Sequence, residues 1–345
     1  MMVLHICEKN NKYYIFFHIN FITINMILVL TDKNDSHANF LLDKISKENL
    51  PLYRFNLDVE SLKGTYVSYK NHKWSIEQNG EKLYLEKIRC VWNRRTFVEL
   101  LLDEEYDQSV DLKIWKGEWN KTLLGIYSSI SKIPWLNFWR LAYAAENKFL
   151  QMEMAIDCGL LVPETIVSNN KKDLVEFGES HEPVALKLMQ QDFYKTRNEE
   201  FMGFYVNKLN SNDLSKFGDQ RENPIVLQKY IDKDYEVRYT VVGNKHFACR
   251  INSQESQLSK VDWRRYDIPH TPHFAIEIPG DIKNKVSELM QRLQIEYGAL
   301  DFIITKEKKW YFLEVNSMGQ FLWIEDLTGL PISEALIDWM KNHLN

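Results

Sequence analysis

The 345-residue chain has only four cysteines, Cys7, Cys90, Cys158 and Cys249, and no two of them form a C-x-x-C pair. This excludes a disulfide framework and the common zinc spacing, and it fits a reducing cytoplasm. Charge of one sign is also lacking. A net charge of −5 gives no global pull toward nucleic acid or anionic membrane, so neither is expected as a partner and any basic site is local. Long apolar runs are missing too. The richest stretch, 13–30, is broken by His18, Asn20, Thr23 and Asn25, and no small-residue cleavage site follows it. A membrane span needs roughly 20 uninterrupted apolar residues. Residues 1–25 are therefore expected to be an extension, ahead of a first strand that starts at the internal Met26. There is no internal repeat or low-complexity tract. G-x-S-x-G, Walker A and G-x-G-x-x-G motifs are all absent, so any nucleotide must be held by another frame.

What is present is ordinary globular composition, 45% hydrophobic and 26% charged, over a length that suits two or three lobes sharing an interface. From Met26 the pattern predicts strand, helix, strand: 27–31, 38–48 and 52–57. The Asn79-Gly80 dipeptide between 73–78 and 82–84 is a hairpin signal. A strand at 89–92 follows, then helices over 111–128 and 138–157. These give a first α/β lobe over 26–140. A central lobe over 141–224 is expected to open on the helix ending before Gly159 and to carry strands at 163–168 and 184–189. A last lobe over 225–345 carries tightly spaced strands at 225–231, 235–242 and 245–252, turning at Gly243-Asn244. The helix 281–293, the strands 299–305 and 309–316, and a final helix 332–342 complete the chain. The fold class is α/β (α+β).

The chemistry concentrates in the last hairpin. Asp301 sits in Ala-Leu-Asp-Phe-Ile-Ile, and Glu314 and Asn316 end Tyr-Phe-Leu-Glu-Val-Asn. Residues two apart in a strand face the same way, so Glu314 and Asn316 point together and Asp301 can lie beside them. Carboxylates in such apolar runs would be buried without a partner, which is costly unless a metal is present. Two carboxylates and an amide oxygen suit Mg²⁺ bridging phosphates. The alternative is a solvated edge. Lys187 ends an apolar strand, where an anion is the expected partner; Lys148, taken alone, reads as an exposed helix lysine. The segment Gln228, Lys229, Tyr230, Ile231 could offer backbone to an adenine edge, with Asp234 or Glu236 near a ribose, although any amphipathic strand would look alike. Arg238 and Arg250 lie on paired strands and are expected to face one cleft, where arginine forks suit phosphoryl or carboxylate oxygens; surface salt bridging is the blander reading. Asp262 and Arg264 belong to a charged aromatic loop, 262–267, that either holds a substrate carboxylate or only caps the fold.

Taken in order, these residues resemble the ATP-grasp superfamily. The resemblance spans Met26 to the C-terminus. It is strongest to the microviridin-type (graspetide) ribosomal peptide maturases, through Ala144-Ala-Glu-Asn-Lys148, Tyr235-Glu-Val-Arg-Tyr-Thr-Val-Val-Gly243, Asp262-Trp-Arg264, the stretch from Glu314 to Gly329, and Trp92-Asn-Arg-Arg95. One departure stands out: no glycine-rich phosphate loop follows Lys187, and the next glycine is Gly203. The resemblance implies an ATP-grasp fold with an N-terminal pre-ATP-grasp lobe and two lobes sandwiching ATP. Lys148 and Lys187 would hold phosphates, Gln228–Ile231 the adenine and Glu236 the ribose. Asp301, Glu314 and Asn316 would hold Mg²⁺. Arg238 and Arg250 would face the reacting groups, and Asp262 and Arg264 the peptide. The implied partner is a precursor peptide with a leader and a core of Thr, Ser or Lys plus Asp or Glu. Its acidic side chains would be activated as acyl phosphates and closed into ester or amide rings. A ligase adding a free amino acid, and a non-catalytic peptide-binding relic, are the alternatives. A homodimer is compatible with the chain, and the sequence does not fix the oligomeric state.

Overall fold

The computed structural model describes residues 2–9, 12–19, 25–95, 109–189, 193–195, 201–203, 205–218, 223–257, 260–263 and 270–344. The first segment forms a hairpin, β1 (Met2–Lys9) with β2 (Lys12–Ile19), where the sequence suggested only an extension.

The N-terminal lobe begins at β3 (Met26–Thr31), whose apolar run is buried on both faces, as an interior parallel strand requires. Next come α1 (Ser36–Lys47), β4 (Leu52–Asn56) and α2 (Val59–Lys63). Asp35 caps α1 by accepting the N–H groups of His37 and Ala38. The strands β5 (Tyr66–Lys70), β6 (Lys73–Gln78) and β7 (Glu81–Tyr84) form an antiparallel sheet. Its β6–β7 turn places Asn79 and Gly80 at φ 56° and 79°, the conformation that pair of residues favours. Then follow β8 (Ile88–Asn93), α3 (Val110–Ser129), β9 (Trp135–Leu136) and α4 (Trp139–Ala145). The strand order β4-β3-β8-β9 is parallel throughout.

The helix expected over 138–157 is two helices. Asn147 ends the first path by turning its side chain onto the N–H groups of Phe149 and Leu150, so α5 (Lys148–Asp157) starts afresh with Lys148 in its first turn. The central lobe adds β10 (Thr165–Ser168), α6 (Lys171–Ser180), β11 (Val184–Lys187), β12 (Phe193–Lys195), β13 (Phe201–Gly203), β14 (Asn207–Leu209), α7 (Ser211–Ser215) and β15 (Ile225–Lys229). Its main sheet runs β10-β15-β11-β14, so the strand at 225–229, expected to open the last lobe, is instead a central strand of this sheet, paired on both sides. Its core is small and centres on Leu174, Val184, Leu214 and Leu227.

The C-terminal lobe comprises β16 (Tyr235–Val242), β17 (Lys245–Ile251), β18 (His273–Ala275), α8 (Gly280–Leu293), β19 (Tyr297–Ile304), β20 (Trp310–Asn316), α9 (Leu322–Thr328) and α10 (Ile332–Leu344). The antiparallel order is β18-β17-β16-β19-β20. One sheet face, with Val237, Tyr239, Phe302 and Phe312, packs on α8 and α5. The other splits along its length. At one end Val242, Cys249 and Tyr297 meet α10 and the N-terminal lobe in a shared core with Ile27, Val29, Trp92 and Met340. At the other end the same face is polar. Among the described residues no helix is long and apolar enough to cross a membrane.

Candidate active site

The polar end of that face forms one wall of a cleft of ≈ 640 Å³, open mouth included, and the central lobe forms the other. Lys187, Gln228, Lys229, Tyr230 and Ile231 line the central side; Glu236, Asp262, Asp301 and Glu314 line the opposite side.

Strand register builds one end of the cleft. Arg238 pairs with Asp301, and Asp301 with Glu314, so their side chains form a row across β16, β19 and β20. Arg238 Nη1 donates to both Asp301 oxygens at 3.1 and 3.0 Å, and the Lys148 ammonium lies 2.8 Å from Glu314 Oε2. The carboxylates are therefore not buried without partners, as the sequence suggested. Arg238 and Lys148 already offset them, and charge alternates along the row. Burial by itself would lower the Arg238 pKa, but Asp301, Tyr297 and Glu314 outweigh it and hold the guanidinium firmly charged. Asn316 stands opposite Ala299 on the same face, one pair along. Lys148 and Glu314 are only partly buried, so both can turn toward a ligand.

Arg250 does not join them. Arg238 pairs with Cys249, so Arg250, one residue on, points through the opposite face, where its guanidinium stacks 4.0 Å over Tyr235 and its Nε donates to Asn252. Arg264 lies outside the described residues.

After Asn316 the chain folds back over the row, and three successive carbonyls are gripped from below. Arg94 donates to Met318 O (2.6 Å), Tyr297 to Gly319 O (2.7 Å) and Arg238 to Gln320 O (3.4 Å). Glu146 holds the start of this loop by accepting Ser317 N–H and Oγ–H at 2.7 and 2.6 Å. Gly319 is required because a Cβ there would lie 2.4 Å from the Ala299 Cβ and 2.9 Å from Arg238 Nη2.

At the other end of the cleft the Lys229 and Tyr230 N–H groups are engaged by the Glu164 and Pro183 carbonyls, which narrows the adenine-edge donor expected from the sequence to Ile231. At this end of the cleft two buried acceptor oxygens, Gln228 Oε1 and Glu236 Oε2, have no partner in hydrogen-bond geometry among the described residues. Such orphans are costly in a finished interior and mark where a donor-bearing ligand fits. Adenine presents an amino group and ribose presents hydroxyls, so both orphans suit the nucleotide. Burial pushes the Glu236 carboxyl up; Lys233, 2.5 Å away, and the Ser253 hydroxyl within hydrogen-bonding reach pull it back, while Asp262 raises it. Lys233 is a residue the sequence reading missed, because Asp232-Lys-Asp234 looks like a solvated turn; it is in fact buried. Asp262 accepts the Val206 N–H at 3.0 Å, joining the two walls.

The donor set also fits a divalent ion. Among the described residues no three His, Cys, Asp or Glu side chains converge to hold a metal unaided. Two carboxylates and Asn316 do fit a Mg²⁺ ion that takes its remaining ligands from phosphate and water.

Residues 26–141 match the family model described as the MvdD pre-ATP grasp domain. The chain superposes over most of its length on a Chryseobacterium gregarium RiPP-associated ATP-grasp ligase, solved with ADP and a leader and core peptide. The TM-score is 0.82 at 29% identity, covering 92% of this chain and 97% of that one. This chain is similar to ATP-grasp ligases of the graspetide-maturase type. Macrocyclase MdnC from Microcystis aeruginosa MRC, bound with precursor peptide MdnA, is similar at TM-score 0.77 and 25% identity over 92% and 99% of the two chains. D-alanyl-alanine synthetase A of Vibrio cholerae, at 13% identity and TM-score 0.56 over 94% and 99%, shares the fold. Among curated proteins, the human mitochondrial propionyl-CoA carboxylase alpha chain is 24% identical over 133 residues, 37% of this chain; the match spans only 18% of that relative's length.

Proposed function

We propose that this protein is an ATP-dependent ligase that crosslinks a ribosomally made precursor peptide, joining an Asp or Glu side chain to a Ser or Thr hydroxyl or a Lys amine of the same peptide. The carrying observation is the cross-strand row Arg238–Asp301–Glu314, flanked by Lys148, at one end of a cleft whose other end presents two orphan acceptors. ADP in the Chryseobacterium ligase supports ATP use here.

Gln228 and Glu236 would orient the base and sugar, and Lys148 and Lys187 would meet the phosphates. Asp301, Glu314 and Asn316 would hold Mg²⁺, which when bound neutralises phosphate charge. A core carboxylate oxygen bonds to the γ-phosphorus as the bond from that phosphorus to the bridging oxygen breaks, and ADP leaves. The peptide's hydroxyl or amine then attacks the acyl carbon, the bond to the phosphate oxygen breaks, and inorganic phosphate departs. Arg238, fixed by Asp301 and the Gln320 carbonyl, places positive charge where both steps build negative charge. Asp262 and Arg264 would receive the peptide, and the N-terminal lobe its leader.

With ATP, Mg²⁺ and the cognate precursor, the peptide mass should fall by one water per ring, with ADP and phosphate released together. A mass gain of one residue would mean a free-amino-acid ligase, and production of AMP would exclude the acyl-phosphate route. Water loss that persists when the core acids are replaced by amides would overturn the assignment.

A further inference from the structure

Lys233 is buried in the cleft wall, and none of the roles above uses it. Its ammonium donates to Glu236 Oε1 at 2.5 Å and to the Val261 carbonyl at 2.9 Å. The first bond leaves Glu236 Oε2 as one of the cleft's two orphan acceptors. The second holds residue 261, whose neighbour Asp262 accepts the Val206 N–H of the opposite wall. One cation thus links a ligand-facing carboxylate to the contact that closes the two lobes.

We propose that Lys233 is a positioning residue that turns one Glu236 oxygen toward the ribose hydroxyls and, through Val261, couples nucleotide occupancy to the Asp262–Val206 closure. This rests on the nucleotide reading given above. Its physical basis is that a carboxylate in a low-dielectric wall holds one orientation and its charge only while a cation bonds one of its oxygens. Without Lys233, Glu236 would lose its aim, and the 260–263 segment would lose its tie to β16. Lysine suits the task because its compact ammonium has three donors and can bridge a carboxylate and a carbonyl at once.

The test uses the full chain with MgCl₂, ADP and 2′,3′-dideoxy-ADP, and needs no peptide. In the wild type, removing both hydroxyls should weaken binding by about tenfold or more, the scale of a charged hydrogen bond. In Lys233→Met, ADP should bind about tenfold more weakly and dideoxy-ADP should bind nearly as well as ADP, because the hydroxyls have lost their acceptor. Lys233→Arg should restore part of the discrimination. Hydrogen exchange supplies the second readout. ADP should slow exchange of the Val206 amide in the wild type and leave it unchanged in Lys233→Met. If Lys233→Met does not fold, the double variant Lys233→Met/Glu236→Gln removes the uncompensated charge and should show the same lost discrimination. Undiminished discrimination against the dideoxynucleotide, or ADP protection of Val206 that persists, overturns the proposal. A wild type that fails to bind ADP overturns the nucleotide reading and this proposal together. Binding of ADP without peptide cyclisation would overturn only the peptide reaction and leave Lys233 in place.

Discussion

Asp301 and Glu314 are neighbours across two strands, yet their surroundings give them different duties. Asp301 is buried against Arg238, whereas Glu314 meets a lysine that is partly open to water. Removing one partner of a buried pair typically costs roughly 3–5 kcal/mol, while an exposed pair is worth about 0–1 kcal/mol. Asp301→Ala should therefore lower the melting temperature markedly and abolish turnover. Glu314→Ala should melt close to the wild type and still lose turnover, since on the proposed reading its contribution is to the phosphates and metal. Thermal denaturation and ADP release would be read on both variants. Equal destabilisation by the two would show that the row is merely structural. The pairing of these two carboxylates was legible in the sequence because both stood inside apolar runs of one hairpin. What the sequence hid was the cation opposite each one. Arg238 and Lys148 are 63 and 166 positions away along the chain, and only strand register and the start of α5 bring them in. The error over Arg250 was avoidable. A two-residue turn at Gly243-Asn244 pairs Val242 with Lys245 and, counting back, Arg238 with Cys249, which already puts Arg250 on the other face.

Periodicity predicted most strands of the C-terminal lobe and the long helices to within a residue or two, because their burial patterns are regular. It missed the break at Asn147, where a local cap overrides an otherwise helical run. It also missed how α1 touches the segment entering α9. His37, in the first turn of α1, accepts the Leu322 N–H on Nδ1 at 3.3 Å and tilts against Phe321, 4.9 Å between ring centroids. Burial, followed by Arg94, lowers its pKa to about 4. A protonated ring could not accept that bond. In the unfolded chain His37 takes up its proton near pH 6.5, but in the folded chain only near 4, so between these values the unfolded state binds more protons. Stability should be fully present above pH 6.5 and fall as pH drops toward 4. His246, lowered to a similar value by burial and Lys283, and His273, lowered by burial, add to the same slope. His37→Gln should flatten the melting temperature measured against pH over this window in part, leaving the share of His246 and His273. An unchanged slope would remove His37 from the linkage.

At the scale of the whole molecule the lobes are unequally anchored. The N- and C-terminal lobes share one core, in which Ile27, Val29 and Trp92 meet Cys249, Tyr297, Trp339 and Met340, so neither can open without exposing the other. The central lobe has only the small core around Leu174 and Leu227. Apolar burial sets the free energy of local opening, so these parts should exchange backbone hydrogens through different openings. Amides of β3, β16 and β19 should exchange only by global unfolding. Those of β10, β11 and β15 should exchange through a cheaper opening of the central lobe alone. A ligand bound between the lobes stabilises the closed form in proportion to its occupancy, by about 2.7 kcal/mol at a hundredfold excess over its dissociation constant. Saturating ADP with Mg²⁺ should therefore slow β10, β11 and β15 by up to about a hundredfold. It should slow the shared core only as far as global stability rises. The same experiment read against urea would show a low slope for the central-lobe amides and the full slope for the core. If all these strands exchanged at one rate with one slope, the molecule would open as a single unit. Its central lobe could not then admit a peptide without unfolding the rest.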